Sequence, residues 1–102
     1  MKIDDLQKRA LEIREKYRLL EIKTEGKEWS VKRLIQGFLK DVTDLQLLAE
    51  NNKSDEALAH ELSDCLWCVL VLAKKLNIDI GQAFKKNMDI LEERIGRQLA
   101  DV

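Results

Sequence analysis

The sequence predicts an all-α protein, a four-helix antiparallel bundle that is completed by oligomerisation. Three observations indicate this fold class. The 102 residues include no proline and only four glycines, so little in the chain interrupts a helix. Apolar residues recur at three- and four-residue spacing, which is the periodicity of amphipathic helices. The segments between these stripes are short, and short connections favour antiparallel neighbours in a bundle.

The first two helices are predicted over residues 3–20 and 30–50. Apolar side chains form one stripe along the first helix, at Leu6, Ala10, Ile13, Tyr17 and Leu20. Residues 21–28 contain Gly26 and are predicted to connect the two helices. Ser30 precedes the second apolar stripe and is a typical N-cap residue.

The third and fourth helices are predicted over residues 54–76 and 79–98. A polar cluster before the third helix predicts a turn, and Ser54 at its end is a suitable N-cap. Asn77 suits the end of this helix, because asparagine tolerates the left-handed conformation found there. Asp79 is then the predicted N-cap of the fourth helix.

Residues 65–73 of the third helix are apolar on every face. A helix of this kind is normally buried on every face, and three neighbouring helices would struggle to cover it within one chain. We therefore expect part of this surface to meet another subunit. The alternative is a wide core stripe with Trp67 partly exposed.

Size and charge define the class of protein. A chain of 102 residues with 45% hydrophobic and 36% charged residues fits one globular domain, expected over residues 1–102. A formal net charge of -1 indicates neither a nucleic-acid polymer nor a membrane surface as partner. The longest apolar run is too short to span a bilayer, and the N-terminal residues have no signal-peptide core. We expect a soluble, cytoplasmic protein.

Cys65 and Cys68 form a C-x-x-C spacing inside the apolar run of the third helix. No second Cys/His pair accompanies them, and His60 is the one histidine of the chain. A zinc or redox site usually needs such a pair or a more polar setting. The two cysteines are predicted to be buried or half-buried structural thiols.

Four acidic residues interrupt apolar stripes where core residues are expected. Asp41 and Asp44 lie on one face of the second helix, and Glu61 and Asp64 lie on one face of the third. Acids three residues apart also occur in other helices, and most such pairs belong to solvated faces. The two central pairs differ because apolar residues flank them on their own stripe.

If the second and third helices pack antiparallel, these four carboxylates converge in a partly dry place. Such carboxylates repel one another and lose hydration, so a cation must neutralise them or some must bind protons. Oxygen ligands suit Mg²⁺ or Mn²⁺ better than zinc or copper. The pattern therefore predicts a magnesium site, with manganese as a possible substitute.

The arrangement resembles the MazG-like all-alpha nucleoside triphosphate pyrophosphohydrolases, whose signature is E-x-x-E, a spacer and E-x-x-D. Glu61-Leu-Ser-Asp64 matches the second half, and Asp41-Val-Thr-Asp44 is a D-x-x-D variant of the first. The segment from Leu72 to Phe84 also looks like the helix end, turn and next helix start of that family. Members cleave between the α and β phosphates, releasing a nucleoside monophosphate and pyrophosphate, and they form dimers or tetramers.

By position, the resemblance implies that Asp41, Asp44, Glu61 and Asp64 are metal ligands. Asp41, Asp44 and Glu61 are the implied catalytic residues, and Asp41 or Asp44 is the candidate to orient or deprotonate the attacking water. The chain departs from the family pattern at Cys68, where many members have tyrosine, and at Lys40 and Thr43, where relatives have glycine. Candidate substrate contacts are Arg94, Lys86, Lys32 and Trp29. Each lysine or arginine is alternatively part of a solvated face, and Trp29 alternatively staples the second helix to the bundle.

Three functions are compatible with these features. The first is a Mg²⁺-dependent pyrophosphohydrolase that clears surplus or non-standard nucleotides as a homodimer or homotetramer. The second is a non-catalytic helical dimerisation or nucleotide-binding module on the same fold. The third is a related diphosphohydrolase that acts on another phosphorylated substrate, such as a phosphoribosyl nucleotide.

Overall fold

The computed structural model describes residues 2–102 and contains four α-helices. They are α1 (Ile3–Glu25), α2 (Val31–Glu50), α3 (Asp55–Lys75) and α4 (Ile80–Ala100). No strand occurs in this part of the chain. The all-α class and the four helices are thus confirmed. None of the described helices has the length and apolar character needed to cross a membrane.

The predicted connection over residues 21–28 is wrong in its first part, because α1 continues to Glu25. The helix ends where Gly26 adopts a left-handed conformation with φ of 80°, and its backbone N–H donates to the carbonyl of Ile22. The added turn contains Glu21, which is buried although it is charged. A charged residue does not continue an apolar stripe even when it is buried. The periodicity of apolar residues therefore placed the end of α1 too early.

The predicted helix starts are confirmed by their caps. The side chains of Ser30, Ser54 and Asp79 accept hydrogen bonds of 3.1–3.2 Å from the backbone N–H groups of Arg33, Ala57 and Gln82, respectively. Asn77 follows the end of α3 with φ of 58°, as expected for a residue that ends a helix.

The helix α3 is the centre of the fold, and α1 and α2 pack on it. Leu34 of α2 packs with Val71 and Leu72 of α3 in a buried cluster, and further along Asp41 contacts Cys68. Ascending positions on α2 therefore face descending positions on α3, so the two helices are antiparallel. Hydrogen bonds from Gln7 to the Leu70 carbonyl and from Trp67 to the Ala10 carbonyl show that α1 is also antiparallel to α3.

The apolar run of α3 is covered largely within the chain. Cys68 and residues 70–73 are buried by α1 and α2, whereas Trp67 is half-buried. This agrees with the alternative of a wide core stripe with Trp67 partly exposed. The expectation that another subunit meets part of the run, in which Leu66 is 44% exposed, stays a prediction. The exposed apolar surface of α3 lies at Leu62 and Leu66, on its outer side.

The helix α4 contributes no buried residue to the chain. Apolar side chains recur along it at Phe84, Met88, Leu91 and Ile95, and Phe84 is 62% exposed. Among residues 2–102, α1, α2 and α3 pack together, whereas the apolar stripe of α4 is exposed. Completion of the bundle by oligomerisation stays a prediction.

Candidate metal centre

Four half-buried acids from α2 and α3 meet around Glu61. Because the helices are antiparallel, the turn that contains Asp41 and Asp44 faces the turn that contains Glu61 and Asp64. Carboxylate oxygens of Asp41, Asp44 and Glu61 lie within 4.8 Å of one another. The structure therefore brings together the four acids that the sequence analysis singled out.

The fourth acid, Asp64, belongs to an overlapping group with Glu61 and His60. The His60 Nε2 atom lies 3.3 Å from Oδ2 of Asp64, one helical turn away, and the imidazole is largely exposed. The sequence analysis did not identify His60 as a site residue. Its position four residues before Asp64 on a helix was the available signal, since such residues share a face.

The carboxyl of Glu61 lies in an unfavourable electrostatic environment. Burial raises the pKa of its carboxyl, and repulsion from Asp64, Asp44 and Asp41 raises it further. Its Oε2 atom is buried and has no hydrogen-bond partner among residues 2–102. A buried carboxylate oxygen without a donor needs a cation or a proton.

These residues fit a divalent metal ion. The first group offers three carboxylates and no nitrogen or sulfur, which is the donor set preferred by Mg²⁺ and accepted by Mn²⁺. A cation here would supply a partner for the orphaned Glu61 oxygen and offset the repulsion among the acids.

The thiol of Cys68 borders this cluster. Its Sγ atom donates a hydrogen bond of 3.3 Å to Oδ2 of Asp41, and the residue is buried. Burial, and next the hydrogen bond to Asp41, raise the pKa of the Cys68 thiol to about 12. Both cysteines are free, and Cys65 is half-buried. This confirms that the C-x-x-C pair consists of buried or half-buried thiols.

A cavity of about 510 Å³ opens beside the acids, between α1, α2 and α3. Asp41 and Asp64 line one part of it, and the aromatic rings of Tyr17, Trp29 and Trp67 line another. The Tyr17 and Trp67 ring centroids are 5.9 Å apart in a tilted arrangement. A volume of this size lies within the range of small-molecule sites, and aromatic walls suit a planar ligand.

The wall of the same cavity contains a buried ion pair whose two charges compensate each other. The Arg14 guanidinium donates two hydrogen bonds to Glu21, and the bond from Nη2 to Oε1 measures 2.8 Å. The backbone N–H of Trp29 donates a third, of 2.8 Å, to the same carboxylate. The bond from Arg14 lowers the pKa of Glu21, and the bond to Glu21 raises that of Arg14.

The structure separates the predicted substrate contacts. Trp29 lines the cavity and also packs against the buried cluster, so it serves as a wall and as the staple that the alternative proposed. Lys32 is exposed in the first turn of α2 and does not line the cavity. Lys86 and Arg94 are exposed on α4, which supplies no lining residue within one chain.

Sequence reasoning missed three charged residues of the cavity lining, namely Arg14, Glu21 and Lys40. Arg14 follows Ile13 within the first apolar stripe and lies two turns before Glu21, so the pair shares a face; that spacing was the available signal. Lys40 directly precedes Asp41, lines the cavity and forms no ion pair with any residue in 2–102. Its adjacency to a predicted ligand was too weak a signal by itself.

Comparison with known families agrees with this geometry. The model of the MazG nucleotide pyrophosphohydrolase domain matches residues 21–97, which are 77 of the 102 residues. The matched segment includes all of α2 and α3 and hence all four acids. No curated protein and no solved structure matches the chain significantly.

Proposed function

The chain belongs to the MazG nucleotide pyrophosphohydrolase family, and we propose that it hydrolyses a nucleoside triphosphate to the monophosphate and pyrophosphate with bound Mg²⁺. One observation supports this most strongly. Four carboxylates converge beside a 510 Å³ cavity, and one of their oxygens is buried without a hydrogen-bond donor in the described chain. Such an arrangement is costly unless a cation belongs there.

The proposed ligands of the metal are Asp41, Asp44, Glu61 and Asp64. Bound there, Mg²⁺ would supply positive charge to phosphate oxygens and favour ionisation of a water. Asp41 or Asp44 would accept a proton from the attacking water, since each offers a carboxylate oxygen to the acidic group. Mn²⁺ is the expected substitute, because its ligand preference is similar.

The residues that line the cavity suggest how a nucleotide would be oriented in it. We place the nucleobase against the aromatic rings of Tyr17, Trp29 and Trp67, and the phosphates at the end lined by Asp41 and Asp64. Lys40 lines the cavity beside Asp41 and is the cation best placed for a phosphate oxygen. The Arg14 guanidinium is already committed to Glu21, so it contributes shape and rigidity rather than charge.

The remaining predicted contacts depend on a homo-oligomer, either a dimer or a tetramer. The α4 stripe is the surface that a second copy would cover, since an exposed apolar face of this length is unusual for a monomer. Lys86 lies two residues after Phe84, about 200° round the helix, and so points away from such an interface. Arg94 lies on the flank of the stripe, and Lys32 is on α2. Of the three, Arg94 is the one that oligomerisation can bring towards a site.

Family membership favours an enzyme over a non-catalytic dimerisation or nucleotide-binding module. A diphosphohydrolase for another phosphorylated substrate would use the same acids, and substrate tests separate it from the proposed activity. The expected role is removal of surplus or non-standard nucleotides from the cytoplasmic pool.

The deciding experiment measures pyrophosphate release from common and damaged nucleoside triphosphates, with Mg²⁺ or Mn²⁺ and with EDTA. We expect turnover that requires the metal and falls by at least about 100-fold in Glu61→Gln. Glu92→Gln is the matched control, because it belongs to an equally spaced acid pair on exposed α4. Metal-independent turnover, or equal activity of the two variants, would contradict the proposal.

A further inference from the structure

We infer that Cys68 is a positioning residue that holds Asp41 for the metal through its S–H···Oδ2 hydrogen bond. This inference rests on the proposed function, because it assigns Asp41 to a metal site. The thiol is not a ligand here and takes no part in proton transfer. Its role is to fix the orientation of Asp41, which is the proposed ligand.

The hydrogen bond from Cys68 distinguishes Asp41 from the other acids of the cluster. Asp41, Asp44 and Glu61 form the compact group of carboxylates, and in the chain from residue 2 to 102 only Asp41 accepts a side-chain hydrogen bond. The donor is Cys68, at 3.3 Å. Repulsion from the other two acids would otherwise favour rotation of Asp41 out of the group, so the bond selects the rotamer that keeps it in place.

The donor of this hydrogen bond is buried and fixed in place. Cys68 is only 7% exposed, one turn after Asp64 on α3, and it is held by the packing of α3 against α1 and α2. A donor fixed in this way orients its partner better than an exposed side chain does. Hydrogen bonds from outside the ligand set commonly determine how a ligand presents its oxygen.

The neighbouring thiol, that of Cys65, lacks the corresponding contact. Cys65 lies one turn earlier on the same helix and is half-buried, yet no hydrogen bond joins it to an acid among the residues described. The two cysteines share chemistry, helix and neighbourhood, and they differ in this contact. Cys65→Ala is therefore a matched control for Cys68→Ala.

The test measures Mn²⁺ affinity by electron paramagnetic resonance, with Mg²⁺ as competitor, on the full chain. We expect Cys68→Ala to weaken Mn²⁺ binding about tenfold, the lower end for such hydrogen bonds, because a thiol is a weak donor. Cys68→Ser, which keeps a donor, should restore the affinity to within about threefold of the parent. Cys65→Ala should leave it unchanged.

A double-mutant cycle separates positioning from packing. In an Asp41→Asn background the Cys68→Ala change should cost less than about twofold in Mn²⁺ affinity, since the orientation it controls no longer matters. Melting temperatures in metal-free buffer record any loss of packing separately. Equal affinity of Cys68→Ala and the parent, equal weakness of Cys68→Ser and Cys68→Ala, or an undiminished effect in Asp41→Asn would each overturn the inference.

The outcomes also distinguish this inference from the proposed function. If the parent binds Mn²⁺ and the cycle behaves as expected but no nucleotide is hydrolysed, the proposed activity fails and the role of Cys68 stands. If the parent binds no Mn²⁺, both fail together.

Discussion

Two charged regions lie in or beside the cavity, and they differ in how their charges are compensated. In one region Arg14 and Glu21 neutralise each other through two hydrogen bonds, and Trp29 adds a third. In the other, Asp41, Asp44, Glu61 and Asp64 form no ion pair with a lysine or arginine among residues 2–102. The ion pair is buried and the four acids are half-buried, so burial strengthens the electrostatic effects in both regions. The first region has its compensation within the chain, and we propose that a metal ion compensates the second.

The contrast predicts that the ion pair stabilises the fold and that the acids serve the proposed metal site. The ion pair joins two turns of α1 and, through the Trp29 backbone, the end of the α1–α2 connection. The acids repel one another across α2 and α3, and only the weak thiol hydrogen bond from Cys68 to Asp41 links one of them to the facing helix among residues 2–102. Breaking the first should therefore reduce stability, and breaking the second should reduce metal binding.

The largest effect is expected from Arg14→Met, which leaves the Glu21 carboxylate buried without its cation. Removing one partner of a buried ion pair typically lowers the free energy of unfolding by about 3–5 kcal/mol. Urea unfolding followed by circular dichroism measures this change. Arg18→Ala is the control, because Arg18 pairs with Glu15 at the surface, and it should change the free energy of unfolding far less.

A companion variant tests whether charge compensation is the reason. Arg14→Met combined with Glu21→Leu removes both charges and should recover most of the lost stability. A remainder is expected, because the Trp29 backbone N–H loses its acceptor. If the double variant is as unstable as the single one, shape and not charge determines the role of this pair.

Next in size is the effect of the metal on stability. Mg²⁺ at about 100 times its dissociation constant should raise the free energy of unfolding by about 2.7 kcal/mol. Asp44→Asn should abolish most of this increment, whereas Arg14→Met should retain it although it starts from a less stable protein. Chemical denaturation with Mg²⁺ and with EDTA measures the increment. An equal increment in Asp44→Asn and the parent would place the metal elsewhere.

The sequence predicted one of these regions and missed the other, for a physical reason. Acids such as Asp41 and Glu61 stand out because they break apolar stripes with charge that nothing in the sequence neutralises. Arg14 and Glu21 also lie inside the fold, but they are two turns apart on α1, and periodicity ended that helix before Glu21. The helix caps at Ser30, Ser54 and Asp79 are local features, so they were predictable. Whether α4 packs on its own chain depends on distant contacts, and periodicity does not encode those.

A smaller effect is expected at the boundary between the regions. Lys40→Ala should raise KM for the triphosphate about tenfold with little change in kcat, because it removes a charge-assisted contact to phosphate. Lys40→Arg should retain most of the affinity. Lys53→Ala, in the exposed turn before α3, is the neutral control. A KM that responds to Lys32→Ala instead would assign the phosphate contact to the first turn of α2.

The smallest expected effect is a difference in pH dependence between the two regions, measured by unfolding in metal-free buffer. Hydrogen bonds from Arg14 lower the pKa of Glu21 below the ordinary glutamate value of 4.5. Its stabilisation is therefore present above that pH and is lost as pH falls through the lowered pKa. Burial and the neighbouring acids raise the pKa of Glu61 above 4.5, so its contribution is present at acidic pH and is lost as pH rises through the raised pKa.

These opposite signs are separable by substitution. The stability advantage of the parent over Glu21→Gln should shrink as pH falls below about 4.5, because protonation removes the charge that the variant lacks. The stability of Glu61→Gln relative to the parent should instead grow as pH rises from about 4.5 towards neutrality, since only the parent then bears an uncompensated carboxylate. Parallel slopes for the two variants would mean that the acids of α2 and α3 already have their compensation within the protein, and the need for a metal would lose its physical basis.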